Sequence, residues 1–144
     1  MSNPYSGKVR IRICGVLIED QKILLVKHRG LGSTGIFWSP PGGGSEFGEP
    51  WQQTLIREFE EETGLKIEVG EFLSFHEHID PEFHAMELFF LVKRTGGKLQ
   101  RGSEPESAMS GPKIEDLSWF SATELKHIPE ACYHSRCLLF LGEH

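Results

Sequence analysis

One segment, residues 50–63, constrains the fold of this chain more than any other, because its two ends and its periodicity all predict a helix. Pro50 can occupy the first turn, where its missing N–H is not needed, and Gly64 can end the helix at its carboxyl terminus. At about 100° per residue, the helix has one apolar stripe, which we expect to pack against the core. This stripe consists of Trp51, Leu55 and Phe59.

A second stripe of the same helix is acidic and lies beside the apolar one. It consists of Glu58, Glu61 and Glu62. Like charges at this spacing repel by roughly a few tenths of a kcal/mol per pair when exposed, and by more when partly desolvated. Three carboxylates at the margin of a core favour a hard cation such as Mg²⁺ or Mn²⁺. The alternative, for an arbitrary glutamate-rich helix, is a solvated acidic face.

The residues before and within this helix resemble a known motif. Gly43 is followed after five residues by Glu49, and after seven more by segment 57–65, Arg-Glu-Phe-Glu-Glu-Glu-Thr-Gly-Leu. Residues 43–65 match the Nudix box of the Nudix hydrolase (MutT-like) family at every defined position. Looser similarity extends over most of the chain and includes segment 117–120.

The resemblance implies the Nudix fold, an α/β (α+β) architecture in which a mixed β-sheet is sandwiched between α-helices. Strands interleaved with few helices favour the same class. At 144 residues the chain fits one domain, residues 1–144, in which the box forms a loop–helix–loop.

The resemblance also assigns roles within the box. In the family the box helix binds one or more divalent cations, and the matching ligands here are Glu58, Glu61 and Glu62. The carbonyl group of the glycine just before the box, here Gly42, often adds a ligand. The structural residues of the box are Gly43, Glu49 and Gly64. Arg57 more often acts by pairing with the glutamate at position 49, and phosphate binding is its alternative role.

The implied activity is Mg²⁺-dependent hydrolysis of a phosphoanhydride bond, with Mn²⁺ as a substitute cation. Cations clamp the diphosphate, neutralise charge on the transferred group and lower the pKa of water. A carboxylate then accepts the proton as water attacks phosphorus. Family members differ over which glutamate is this base, and Glu58 is the first choice. Glu61, Glu62 and Arg57 complete the expected catalytic set.

An acidic residue outside the box often completes such a site. Glu115 is the best candidate for a further metal ligand, because it precedes a predicted strand after a long polar loop. Glu87 and Glu104 are the next candidates for this role. A surface carboxylate is the alternative for each of them.

Three further residues are candidates for substrate binding. Lys27 and Arg29 stand two apart at a strand end, so they can share a face and hold phosphates, although solvent-facing charges often show the same pattern. Trp38 could stack on a base, or it could belong to the core.

Two weaker metal patterns lack a complete ligand set. His76 and His78 share one strand face, with Asp80 nearby, but no third ligand has the spacing of a zinc site. Cys132 and Cys137 are five residues apart and would point in different directions on a helix.

Outside the box we expect mostly β-structure. Strands are predicted over residues 9–18 and 22–28, which can form a hairpin, and over 65–75, 83–93 and 117–120. Residues 98–112 have the composition of a loop. A short helix is predicted after Ser121, which can cap it with Glu124 three residues on. A terminal helix is predicted over residues 129–141.

Composition excludes several classes of protein. A net charge of −6 without a long basic block argues against binding to long nucleic acid. No apolar run reaches membrane-spanning length, and residues 1–10 lack the apolar core of a signal peptide. Three cysteines without a paired motif favour free thiols in a reducing cytoplasm. A homodimer is left open.

Three classes of function remain at this point. The first is a pyrophosphohydrolase acting on a small nucleotide: a nucleoside triphosphate, ADP-ribose or a nucleotide sugar, or a dinucleoside polyphosphate. The second is a catalytically silent Nudix-fold module that senses a nucleotide or binds a protein. The third, a structural domain with a solvated acidic helix, leaves the complete box unexplained. Pro81, 16 residues after Leu65, lies near a proline of ADP-ribose-cleaving members.

Overall fold

Eight β-strands and a few short helices form the described part of the chain. A computed structural model describes residues 7–29, 35–100 and 113–142. In chain order its strands are β1 (Val9–Val16), β2 (Ile18–Glu19), β3 (Lys22–Arg29), β4 (Ile36–Ser39), β5 (Gly42–Gly44), β6 (Leu65–Ile79), β7 (His84–Gly97) and β8 (Lys113–Phe120). The helices are α1 (Trp51–Thr63), α2 (Ala122–Lys126), α3 (Cys137–Phe140) and a 3₁₀ turn at Glu130–Cys132.

The first β-sheet is mixed, as expected for this fold class. Its strand order is β5–β1–β7–β6. β1 runs parallel to β7, with Arg12 opposite Glu87, while β5 and β6 are antiparallel to their neighbours. Because strand β5 is Gly42–Gly44, the glycines that open the box lie at the edge of this sheet, beside β1.

The second sheet has the order β2–β3–β4, and β8 also pairs with β3. β3 and β8 are antiparallel, with Lys27 opposite Asp116 and His28 opposite Ile114. Glu115 is therefore the extra residue of a β-bulge, a feature that is over-represented next to active sites.

Helix α1 covers the first sheet and confirms the predicted helix from Trp51 to Thr63, while Pro50 is its extended N-cap residue rather than part of the first turn. Its apolar stripe contributes Leu55 and Phe59 to a buried cluster with Ile13 and Val92 of the sheet. Burial of such a side chain contributes about 1.5–3 kcal/mol. Gly64 ends the helix at a φ of 79°, and a Cβ there would lie 2.3 Å from the carbonyl oxygen of Lys98. Only glycine fits this position without strain.

A second buried cluster lies between the two sheets. Its members include Cys14, Val16, Ile23, Leu25, Phe89 and Cys137. All three cysteines are free thiols, and burial raises the pKa of Cys14 and of Cys137 to about 12. Across residues 7–29, 35–100 and 113–142, no helix combines the length and the apolar character that crossing a membrane requires.

Two predicted elements differ from the structure. The hairpin expected from residues 9–18 and 22–28 is reduced to β2 and β3, joined by Asp20 and Gln21 with φ values of 50° and 63°. β1 ends at Val16 and pairs with β5 and β7 instead. The single helix predicted over residues 129–141 is interrupted, because a 3₁₀ turn at Glu130–Cys132 and α3 at Cys137–Phe140 are separated by non-helical residues. Tyr133 is extended and bridges to Trp38, so tertiary pairing outweighs local helix propensity there.

Candidate functional site

Strand β5 and helix α1 meet at a buried contact between the box loop and the acidic stripe. The backbone N–H of Gly42 donates to Oε1 of Glu62 over 3.1 Å. Glu62 is only 5% exposed, so this bond fixes a carboxylate inside the protein. The carbonyl group of Gly42 and the carboxylate of Glu62, two predicted metal ligands, therefore lie together.

Glu58 lies against the next glycine of the box. A Cβ at Gly43 would lie 2.4 Å from Cδ of Glu58, and one at Gly42 would lie 2.2 Å from the carbonyl oxygen of Ile13. At Gly42 the close atoms are backbone of β1, so no side chain fits there, whereas at Gly43 a side chain would require the carboxylate of Glu58 to move away. The structural role of Gly43 stays a prediction, and this close approach of Glu58 is the contact on which it depends.

Arg57 joins the start of the box to its helix. Its Nε and Nη2 donate to the two carboxylate oxygens of Glu49 over 3.0 and 2.9 Å, a bidentate pair. Thr54 Oγ1 also donates to Glu49, over 2.7 Å. These bonds, the one from Arg57 first, lower the pKa of Glu49 to about 2. The structural role of Glu49 and Arg57 stays a prediction, and this bidentate pair is the contact on which it depends.

The remaining terminal nitrogen of Arg57 faces the acidic stripe. Nη1 lies 3.1 Å from Oε1 of Glu58 and 3.3 Å from Oε1 of Glu61. The side chain of Glu61 is 46% exposed, so it lies at the solvent end of the stripe. The structure thus places Glu62 against Gly42, Glu58 against Gly43, and Arg57 between Glu58 and Glu61. Carboxylate and carbonyl oxygens are the hard donors that Mg²⁺ and Mn²⁺ accept.

Arg12 of β1 also contacts the loop before the box helix, at Gly42, although its sequence position gave no indication of a role. Its Nη2 donates to the carbonyl oxygen of Gly42 over 3.4 Å, and its Nη1 to Oε2 of Glu87 over 3.3 Å. Alternating Arg10 and Arg12 in a strand are typical of a solvent-facing side. Only the register of β1 with β5 and β7 places Arg12 beside the box.

Glu87, one of the two reserve candidates outside the box, is buried with several partners. Its Oε1 lies 2.8 Å from Nε2 of His134 and 3.1 Å from Nδ1 of His76. Burial alone would raise the pKa of Glu87, but the hydrogen bond from His134, the charge of Arg12 and the hydrogen bond from His76 lower it to about 2. The carboxylate is therefore charged at neutral pH.

The two histidines predicted to share a strand face have different partners. His76 contacts Glu87, whereas Nε2 of His78 lies 2.8 Å from Oδ2 of Asp80 at the surface. His134, which no pattern in the sequence singles out, is the third group near His76. It lies in the segment where a regular helix was expected, so its position could not be predicted.

The predicted substrate-binding residues lie on the second sheet. Lys27 of β3 is opposite Trp38 of β4, and Trp38 packs edge-on against Phe120 with ring centroids 4.8 Å apart. The side chains of Arg29 and Glu115, and the whole of Glu104, lie outside the described residues.

A family model and several known proteins are similar to this chain in sequence. A family model described as the NUDIX domain matches residues 8–139. An ADP-ribose pyrophosphatase of Methanocaldococcus jannaschii is 33% identical over 100 residues, which are 68% of this chain and 59% of that protein. An 8-oxo-dGTP diphosphatase of Proteus vulgaris is 35% identical over 79 residues, 54% of this chain and 70% of the relative.

Among solved structures, a MutT NUDIX hydrolase from Burkholderia pseudomallei superposes with a TM-score of 0.72 at 24% identity. The match covers 94% of this chain and 98% of the other. It shows the same fold. The chain spans less than two thirds of the Methanocaldococcus relative.

Proposed function

Since the chain belongs to the NUDIX domain family, we propose that it is a Mg²⁺-dependent pyrophosphohydrolase. Its substrate is a nucleoside diphosphate linked to a further group, and water cleaves the phosphoanhydride bond. The relatives named as an ADP-ribose pyrophosphatase and an 8-oxo-dGTP diphosphatase support this class of bond. The substrates in these two names differ in the group attached to the diphosphate. The proposal therefore specifies the diphosphate and leaves the attached group open.

The observation that carries this proposal is the contact between Gly42 and Glu62. A buried carboxylate is costly unless hydrogen bonds or a cation compensate it. Here the N–H of Gly42 compensates one oxygen, and Glu58 lies beside the neighbouring Gly43. The arrangement concentrates negative charge next to a backbone carbonyl group, as a divalent-cation site requires.

When bound, divalent cations at Glu58, Glu61, Glu62 and the carbonyl group of Gly42 would clamp the diphosphate and neutralise the developing negative charge. Mn²⁺ would substitute for Mg²⁺, because both accept oxygen ligands.

The protein residues have separate roles in the proposed reaction. Glu58 accepts the proton of the attacking water, and its contact with Nη1 of Arg57 fixes the orientation of its carboxylate. Arg57, through its bidentate bond to Glu49, keeps the box loop against the helix. Lys27 and Arg29 bind phosphate oxygens from the second sheet.

A substrate panel tests the proposal directly. ADP-ribose, 8-oxo-dGTP and a diadenosine polyphosphate are incubated with the protein and Mg²⁺, and the products are identified by mass spectrometry. We expect cleavage within the diphosphate of at least one compound, and its loss in excess chelator.

Two variants of helix α1 provide the control. Glu62→Gln should lower turnover by several powers of ten, while Glu60→Gln, at an exposed position of the same helix, should keep the parent rate. Full turnover in excess chelator contradicts the proposal. Cation-dependent binding without cleavage contradicts hydrolysis and supports the silent binding module.

A further inference from the structure

Glu87 is the centre of a buried cluster outside the Nudix box. The side-chain atoms of His76, Glu87 and His134 that can ligate a metal all lie within 4.8 Å of one another. Two imidazoles and a carboxylate form a donor set that zinc accepts. The hydrogen bonds of His134 decide whether this cluster holds a metal.

The backbone N–H of Arg136 donates to Nδ1 of His134 over 3.1 Å. A backbone amide can only donate, so Nδ1 of the neutral ring carries no proton. The proton is then on Nε2, which donates it to Oε1 of Glu87 over 2.8 Å. A metal on Nε2 would require the proton on Nδ1, where it would face the N–H of Arg136. The cluster therefore fits a hydrogen-bonded network better than a metal site.

This network ends at the box. The second oxygen of Glu87 accepts from Nη1 of Arg12, and Nη2 of Arg12 reaches the carbonyl oxygen of Gly42. A continuous series of contacts thus runs from the amide of Arg136 through His134 and Glu87 to Arg12. Each member fixes the orientation of the next.

We propose that Arg12 binds an oxygen of the substrate diphosphate beside the box, and that Glu87, oriented by His134, is the residue that positions Arg12. The proposal rests on the function proposed above. A guanidinium group has five N–H donors in a planar fork that suits phosphate. Among the described residues, Arg12 uses two of its nitrogens, for Glu87 and Gly42. Its side chain is 18% exposed, so a ligand can reach it.

The surrounding charges support this role. Glu58 and Glu62 both act electrostatically on Arg12. Nη2 of Arg12 also lies 3.4 Å from the carbonyl oxygen of Gly42, a proposed cation ligand, so a cation held there and the guanidinium group would be close enough to share one anionic ligand. Because the guanidinium group repels that cation, removal of Arg12 should weaken binding of the diphosphate without weakening binding of the cation alone.

The test measures the two affinities separately on the full chain. Mn²⁺ alone, and then imidodiphosphate in the presence of Mn²⁺, are titrated into the parent, Arg12→Ala and Arg12→Lys. We expect Arg12→Ala to bind imidodiphosphate at least about tenfold more weakly, since a hydrogen bond between charged groups is lost. Its affinity for Mn²⁺ should equal or exceed that of the parent. Arg12→Lys keeps the charge and should recover part of the loss.

Arg94→Ala is the matched control, because it removes a surface arginine paired with Glu19. Arg94 lies seven residues from Glu87 along β7, about 23 Å away in an extended strand. This variant should bind imidodiphosphate as the parent does. The proposal is overturned if Arg12→Ala binds imidodiphosphate with an affinity within twofold of the parent and circular dichroism shows that both proteins are folded.

Glu87→Gln tests the positioning role. Alone it should weaken imidodiphosphate binding, and combined with Arg12→Ala it should add little further loss, because Glu87 acts through Arg12. Additive losses overturn this role. Tight Zn²⁺ binding that disappears in His134→Gln also overturns it, because the cluster would then be a metal site.

Turnover separates this inference from the proposed function. A parent that binds imidodiphosphate through Arg12 but cleaves no diphosphate contradicts the hydrolase and leaves the inference standing. A parent that cleaves its substrate while Arg12→Ala keeps full affinity contradicts the inference alone. A parent that does not bind imidodiphosphate with Mn²⁺ overturns the inference.

Discussion

Nε2 of His134 lies 2.8 Å from Oε1 of Glu87, although 47 residues separate them in the chain. The backbone of His134 is bound as well, because its N–H donates to the carbonyl oxygen of Trp38 over 2.9 Å. Trp38 belongs to the second sheet and Glu87 to the first. One residue near the carboxyl terminus therefore connects both sheets beside the box.

Replacing His134 should destabilise the fold more than replacing a surface histidine. His134→Phe removes the N–H that compensates the buried charge of Glu87, which should cost about 1–3 kcal/mol in the free energy of unfolding. His78→Phe, which breaks the exposed pair with Asp80, should cost less than about 1 kcal/mol. Urea unfolding of both variants measures the difference, and equal losses would contradict it.

The local part of the site could be predicted from the sequence, and the contacts between distant segments could not. The helix from Trp51 to Thr63 and the glycine that ends it depend on neighbouring residues, so their spacing was informative. Arg12 and Glu87 meet only because β1 and β7 are paired in one register, 75 residues apart. No periodicity in one sequence contains that information.

A contact between distant segments also explains why the structure of residues 129–141 differs from the prediction. Its composition favours a helix over residues 129–141, but the bridge from Tyr133 to Trp38 keeps the chain extended there. The helix prediction therefore failed at the segment that contains His134, the residue that contacts Glu87.

Gly43→Ala should lower turnover more than it lowers stability. The new methyl group would lie 2.4 Å from Cδ of Glu58, so the glutamate side chain has to move away from the box loop. If Glu58 is the proposed base, we expect a loss of at least about tenfold in kcat, because catalysis depends steeply on the position of the reacting groups. Gly96→Ala is the matched control, because its nearest atom, on Lys66, would be 4.0 Å away. Kinetics and the thermal midpoint of both variants check this expectation, which equal rates would contradict.

The pair of Glu49 and Arg57 should make stability depend on pH in the acid range. The pKa of Glu49 is lowered to about 2 in the fold, mainly by the hydrogen bond from Arg57, from an ordinary value of 4.5. The unfolded chain therefore binds a proton first as the pH falls. The stability that the pair contributes is complete above about pH 4.5 and is lost as the pH approaches 2.

Glu49→Gln cannot titrate at this position, so it isolates the effect. The difference in unfolding free energy between the parent and Glu49→Gln should be largest at neutral pH and should shrink steadily between about pH 4.5 and 2. Chemical unfolding across this range measures it. A difference that stays constant, or that grows towards low pH, would show that the pair does not act as described.

Glu115 remains the first candidate for an acidic residue that completes the site from outside the box. Its backbone forms the bulge of β8 opposite Lys27 and His28, and Lys27 is a proposed phosphate ligand. If Glu115 serves the same cations as Glu62, Glu115→Gln should depress turnover strongly while stability changes by less than about 0.5 kcal/mol. Combined with Glu62→Gln, the loss should be less than additive, because groups that serve one metal site act as a unit. Glu130→Gln, at an exposed position, is the control. A rate for Glu115→Gln within twofold of the parent would exclude Glu115, and Glu87 and Glu104 would be tested next.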